Sequence, residues 1–427
     1  MSYNSRYNEY LNIIKRPFKK VAKLDFLQPD YSVAFSLTNK YNPEYNNHDN
    51  RAFLQSGELN VALQNGQRRQ ASVTLANIDK KFDYEFNKMW FGQAVRLSMG
   101  VELSDGTPFY IPQGVFYISN PTAEISSNTD VITYALVDKW TYLDGSLFGK
   151  LDGTYQINAG ENVFNAMASV LTLSRYDYTE TSALQSQIDS VAPVFTAFYN
   201  NRTYNLDTGG TALMTDVPYD VIVNGESSSF ADILLELNNT LVGWIGYDNT
   251  GTLRVEPSQE DIEDTDKPIQ FYFNDKNSVI SITENILNTN VYNDIIITGE
   301  SLAGYEVFGR ASNYDPRSST NINIIGRKTY RESNASYWTS EQCAALAVFR
   351  LKRMTALQKS ITVDTTQMFH LQENGLISVQ RPDKGTTEKH LIQSFTVPIS
   401  EKGQMSINAV SVNDLPDLAT TITMERE

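Results

Sequence analysis

The chain has 427 residues, 41% hydrophobic and 20% charged, the composition of a folded globular protein long enough for two or three domains. Thirty-five Lys and Arg against 50 Asp and Glu give a net charge of −15, which repels phosphate backbones and argues against nucleic-acid binding, sequence-specific or not. No apolar run is long enough to span a bilayer, Met1–Arg16 lacks the core of a secretory signal so folding in a cytosol is expected, and the single Cys343 offers neither an internal disulfide nor a zinc pair.

Taken in chain order, the N-terminal segment carries Tyr7, Leu11 and Ile14 at the spacing of one helix face, and reads as a helix or as an arm for a neighbour. Ala22–Phe26 and Tyr31–Leu37 read as strands around a Gln28-Pro29-Asp30 turn. Alternation continues through Leu59, Val61 and Leu63, then Ala71, Val73 and Leu75, then Val95, Leu97 and Met99, then Val115–Ile118 and Val131–Val137. Asn65-Gly66 and Asp105-Gly106 mark tight turns that need positive φ. Short strands with regular turns predict a barrel or sandwich.

The middle is mixed. Glu161–Ser174 has the apolar spacing of a helix, and Ser229 with Asp232 caps a second one carrying Ile233, Leu234 and Leu237. Gly243–Tyr247 and Thr252–Val255 form a hairpin across Asp248-Asn249-Thr250-Gly251. The last third returns to strands at Asn293–Thr298, Ser360–Val363, Leu376–Gln380, His390–Val397 and Gln404–Val412. One helix interrupts them, opened by Thr339 and Gln342 at capping-box spacing, with Ala344, Ala347, Val348 and Leu351 on its apolar face. The expected fold class is mainly β with α+β insertions: two related antiparallel β-barrels and a mixed α/β middle region. The expected boundaries are an N-terminal helix or arm over 1–20, a first barrel over 21–145, the middle region over 146–282, and a second barrel over 283–427 with a helix inserted at about 339–354.

Two stretches share order and spacing. Gly92–Leu97, Asp105-Gly106, Phe116–Ser119 and Val131–Val137 correspond to Gly375–Val379, Asp383-Lys384-Gly385, Leu391–Ser394 and Met405–Val412. Each reads as a glycine-led strand, a turn, a strand and a closing strand, which predicts an internal repeat. Three copies of a two-barrel chain present six similar surfaces and so match a threefold object to a sixfold one.

Arg68–Asn77 with Phe82 and the Gly92 strand behind it resembles the first barrel of phage tail hub proteins. Phe230–Val255 and the segment from Thr339 with Ile392-Gln393-Ser394 resemble that family as well. The resemblance covers most of the chain as a pattern of spacing; the region 176–220 has no counterpart in it. It implies a homotrimeric tail-tip or baseplate hub, or the structural head of a tail-associated protein, in the virion and made in the bacterial cytoplasm. Such a hub joins the tail tube or distal tail protein to a central spike or tail lysozyme protein, with the tape measure protein as a further neighbour.

No catalytic, cofactor or metal site is expected. His48, His370 and His390 fall in no metal-ligand spacing, and Cys343 reads as a packed thiol. Gly209-Gly210-Thr211 lacks the lysine of a phosphate loop, and Glu260, Asp261, Glu263, Asp264 and Asp266 lack the order of a calcium loop. The alternative reading is a receptor-binding tail protein whose 24 Tyr, 20 Phe and 4 Trp would stack on cell-wall glycans. Aromatic residues on strands are equally ordinary core fillers.

Overall fold

The structure, a computed structural model, describes residues 3–40, 53–77, 92–126, 129–147, 149–173, 203–206, 210–213, 215–217, 220–225, 228–241, 243–257, 268–274, 279–287, 291–301, 304–334, 337, 339–355, 358–381, 385–400, 403–411 and 420–423. His48, Phe82, the acidic stretch 260–266 and most of 176–220 lie outside these residues.

Helix α1 (Tyr3–Ile13) leads into β1 (Lys20–Leu27), β2 (Val33–Thr38), β3 (Leu54–Ala62), β4 (Arg69–Ala76), β5 (Ala94–Glu102), β6 (Pro108–Ile125) and β7 (Asp130–Asp138). The middle follows, with β8 (Tyr155–Ile157), α2 (Val163–Leu173), β9 (Thr203–Leu206), β10 (Gly210–Leu213), β11 (Val221–Val223), α3 (Phe230–Leu241), β12 (Gly243–Tyr247) and β13 (Leu253–Pro257). Then come β14 (Ile269–Phe273), β15 (Val279–Leu287), β16 (Asp294–Glu300), β17 (Glu306–Asn313), α4 (Ile322–Ile325), β18 (Thr329–Ser333) and α5 (Ser340–Thr355). The chain closes with β19 (Gln358–Thr365), β20 (Leu376–Gln380), β21 (Thr387–Pro398), β22 (Met405–Ser411) and β23 (Thr420–Thr423).

The repeat is present in the hydrogen bonding. The first half runs β3-β4-β7-β6-β5-β1 and the second β15-β19-β22-β21-β20-β14, with corresponding strands in the same chain order. Leu136 lies opposite both Ile118 and Ala71, as Ala409 lies opposite Ile392 and Ile361. The Ile118 N–H donates to the Gln93 carbonyl (3.1 Å) as the Ile392 N–H donates to Gly375 (3.0 Å). Gly92 therefore corresponds to Asn374, both at positive φ (68° and 58°), and the glycine-on-glycine alignment of the sequence is displaced by one residue. Asn is among the few side chains that tolerate this conformation. The halves differ at one edge, where β1 pairs β5 antiparallel and β14 pairs β20 parallel.

The two halves are also one sheet. Strand β22 covers one edge of β21, and the opposite edge is shared: Thr387–Leu391 pair with β20, and Ser394–Pro398 pair with β3. The ladder extends through the Leu63 N–H to Gln393 and the Ile399 N–H to Gly57, both 2.7 Å. Gly57 sits where a Cβ would lie 2.0 Å from the Ser72 carbonyl, so a side chain there would push β3 off β4. One hydrophobic core runs through both halves, from Leu24, Val73 and Phe116 to Val363, Phe395 and Ile407.

Helix α1 belongs to this core. Tyr10, Ile13 and Ile14 are buried against it, and Arg6 Nη2 donates to Thr107 Oγ1 and the Pro108 carbonyl, both at 3.0 Å. Of the two readings of the N-terminal segment, the structure has the helix, lying on its own chain.

The middle packs a second core from α2, α3 and the β12–β13 hairpin, with Phe164, Met167, Leu234 and Leu237 at its centre. Ser229 caps α3 as the spacing predicts: its N–H donates to Asp232 Oδ2 (2.7 Å), and the Asp232 N–H donates to Ser229 Oγ (3.3 Å). A third core lies between α5 and the separate sheet β18-β16-β17-β23. The helix expected within the second barrel is therefore the cover of this smaller sheet. The Gln342 N–H donates to Thr339 Oγ1 (3.0 Å), and Cys343 lies inside the apolar face, not beside it.

Because one core serves both halves, Phe395→Ala, at the shared strand, is expected to cost about 3–5 kcal/mol. Denaturant unfolding followed by far-UV circular dichroism and by tryptophan fluorescence will move as one transition. Two resolved transitions, one moved by Phe395→Ala alone and the other by Leu136→Ala alone, would show that the halves fold separately.

Candidate functional site: the polar junction of three units

The meeting point of the first half, the β12–β13 hairpin and the second half is built from charged groups. Arg69 stands on β4 in phase with Ala71, Val73 and Leu75, and its side chain is fully buried. Its Nη1 donates to the Gln113 carbonyl (3.0 Å), and its Nη2 donates to Gln372 Oε1 (2.9 Å) and to the Glu373 carboxylate. One guanidinium thus ties β4 to β6 and to the segment ahead of β20. Arg68, also buried, donates from Nε to the Gln64 carbonyl (3.0 Å), with Nη1 3.9 Å from Glu373 Oε1. Burial lowers the Arg68 pKa, and the Glu373 and Glu256 charges oppose that shift.

Asp138 completes the cluster from below. Its Oδ2 accepts the backbone N–H groups of Arg68 (2.8 Å) and Arg69 (2.9 Å), and Oδ1 accepts that of Trp140 (3.0 Å). Burial raises its pKa to about 6, against the pull of these three donors.

The hairpin docks onto this base through the Asn65-Gly66 turn. The Gly66 N–H donates to the Ile245 carbonyl and Asn65 Oδ1 accepts the Ile245 N–H, both at 2.9 Å. Gly246 leaves room for Arg68, whose Nε lies 2.4 Å from where a Cβ would be. A cleft of about 380 Å³ opens above, lined by Arg68, Arg254, Glu256, Gln270, Glu373 and Asn374 among others. Its polar groups bond to one another: Arg254 Nε donates to Asp248 (2.8 Å), and the Asn374 amide Nδ2 donates to Glu256 (2.7 Å). This arrangement ties three units together at one point.

Among the described residues, His370, His390 and Cys343 stand in separate elements or loops. Tyr10 Oη accepts the Phe369 N–H (2.9 Å) and lies 2.9 Å from His370 Nδ1. His370 Nε2 faces the Gln270 carbonyl (3.2 Å), which can only accept, so the neutral imidazole carries its proton there and Nδ1 accepts from the phenol. His370 therefore links α1 to β14 in neutral form, under the rings of Tyr7, Tyr10 and Phe271, and burial lowers its pKa to about 4. His390 is buried in β21, 3.9 Å from Glu388. Burial raises the Cys343 thiol to about 12, which removes the thiolate that reactivity requires.

No protein-family model matches the sequence, and no curated protein matches it. Among solved structures the chain is similar to the tail protein from Neisseria meningitidis MC58, with a TM-score of 0.58 at 8% identity over 93% of this chain and 98% of that one. It is similar as well to the tail protein of prophage MuSo2 from Shewanella oneidensis, with a TM-score of 0.52 at 12% identity over 91% and 98%. The fold is that of phage tail proteins. At such identities the likeness lies in the backbone path, which takes in both halves of the tail-protein fold and the middle between them.

Sequence reading quoted Arg68 and Arg69 as part of a pattern and missed their role. The signal was there: a strand position in phase with three core residues is occupied by arginine, which implies a buried, paired cation.

Two outcomes follow for the tail-protein fold. Arg69→Ala strands the buried Glu373 carboxylate and is expected to cost about 3–5 kcal/mol in denaturant unfolding, while replacing both partners by Met recovers much of the loss. His370 takes up a proton near pH 6.5 when unfolded and near 4 when folded, so its contribution to stability is complete above about 6.5 and is lost as pH falls towards 4. The stability gap between the parent and His370→Gln should therefore narrow by up to about 3 kcal/mol over that window.

Proposed function

We propose that this chain is the structural hub of a phage tail tip or baseplate, a non-enzymatic protein that joins the sixfold tail tube to a threefold central spike around a channel for genome or effector passage. The observation that carries this reading is the doubled strand order β3-β4-β7-β6-β5-β1 and β15-β19-β22-β21-β20-β14 within one continuous sheet. A homotrimer of such a chain presents six related sheets at fixed spacing, which is the geometric requirement for matching three to six. The rigid seam at β21 and the buried junction support it, because a platform under axial load cannot let its two halves pivot.

The middle region, with its own core, is the part free to grip the spike or tail lysozyme protein, while the doubled sheet meets the tail tube or distal tail protein. The tape measure protein would then enter along the axis. A net charge of −15 suits a lumen that DNA passes without adhering. The glycan-binding alternative draws less support: among the described residues the large exposed aromatics Tyr272, Tyr305 and Tyr314 stand in three separate elements or loops, and form no shared stacking platform.

The test is the mass and symmetry of the purified chain, by light scattering and negative-stain imaging, alone and co-expressed with its tube and spike neighbours. A threefold ring with a central hole and six peripheral lobes is expected. A monomer under every condition that binds cell-wall glycan would replace the hub with an adhesin.

A further inference from the structure

The connection from β17 to β18, residues 314–328, combines a fixed backbone with an exposed apolar pair. Asn293, Asn313, Asp315, Thr320 and Asn321 are all buried beneath it. Asn293 Nδ2 donates to the carbonyls of Thr320 (3.0 Å) and Gly326 (2.7 Å), and its Oδ1 accepts the Lys328 N–H (2.7 Å). Asn321 Nδ2 donates to the Asp315 carbonyl (2.7 Å), and Thr320 Oγ1 donates to Thr355 at the end of α5 (2.9 Å). Such a buried polar network rigidifies what it holds.

What it holds outward is Ile324 (63% exposed) and Ile325 (40%), among Arg317, Arg327 and Lys328. The one carboxylate of the loop, Asp315, is buried and paired with Arg317 (2.8 Å), and Arg327 Nη1 lies 3.5 Å from Asp294, itself buried at the start of β16. On a chain of net charge −15, the exposed charges of this loop are therefore all positive. A rigid apolar tip ringed by cations fits an apolar surface ringed by carboxylates.

The chain carries that complement elsewhere. At the far end of β6, Ile125 is 63% exposed, beside exposed Glu124 and directly opposite Asp130 of β7. The two patches belong to different units, the small α5-covered sheet and the first half. Contacts between unlike patches on successive copies are the kind that close rings.

We propose that the 314–328 loop of one copy docks on the Glu124–Ile125–Asp130 strand end of a second copy of this chain, isoleucines together and Arg317, Arg327 and Lys328 against the two carboxylates. This rests on the ring of the hub reading and names one contact that closes it. The test uses the full chain, with and without co-expressed tube and spike neighbours. Ile324→Glu/Ile325→Glu is expected to convert the ring to monomer in light scattering while leaving the circular dichroism spectrum and Tm unchanged, since both side chains are exposed. Lys328→Glu should weaken assembly, and Lys328→Glu with Glu124→Arg in the same chain should restore it.

A ring of parental mass from the isoleucine variant overturns this contact and leaves the hub reading standing. A parent that stays monomeric under every condition removes both. If the parent cosediments with phosphatidylglycerol vesicles, and the isoleucine variant loses that binding but keeps its ring, the loop faces lipid and the contact is likewise overturned.

Discussion

Strand β21 is the constraint on which the rest of the structure depends. One of its edges is shared between β20 of its own half and β3 of the other, so a backbone ladder fastens the repeats. A linker would have left their angle free, whereas a ladder fixes it to the geometry of a twisted sheet. The continuous core follows from this, since side chains of both halves then face one interior.

The charged junction is the polar counterpart of that seam. A buried arginine contributes little net stability over an apolar residue of similar size, but it tolerates one arrangement of partners. Arg69 reaches Gln113 on one side and Gln372 and Glu373 on the other, so these three partners are satisfied together in the observed register. Asp138 gathers the backbone of Arg68 and Arg69 at the point where the first half hands over to the middle region. Specificity of assembly within the chain, more than stability, is what this cluster supplies.

Two like sheets held at a fixed angle offer a repeated surface, and the middle region and the small α5-covered sheet keep separate cores that can diverge without disturbing it. The third core also carries the 314–328 loop, held by its own buried polar network.

Much of this was legible in the sequence because it is local. Period-2 alternation located β3, β4, β5 and β7, and capping chemistry located α3 and α5, since each depends on residues a few positions apart. The repeat was legible in order and misplaced by one residue, because an asparagine does at position 374 what a glycine does at 92. The parallel pairing of β14 with β20, the sharing of β21 and the partners of Arg69 were decided only by the tertiary structure. Arg69 meets Glu373 across 304 residues of chain, and a side chain's phase on a strand says that it points inward without saying what it will find there. The sequence by itself determined α2, α3, α5, most strands of the doubled sheet and the repeat in their order, though not β14, β15, β17 or β18; which edges join and which charges meet was settled by packing, where backbone groups and buried ions must each find a partner.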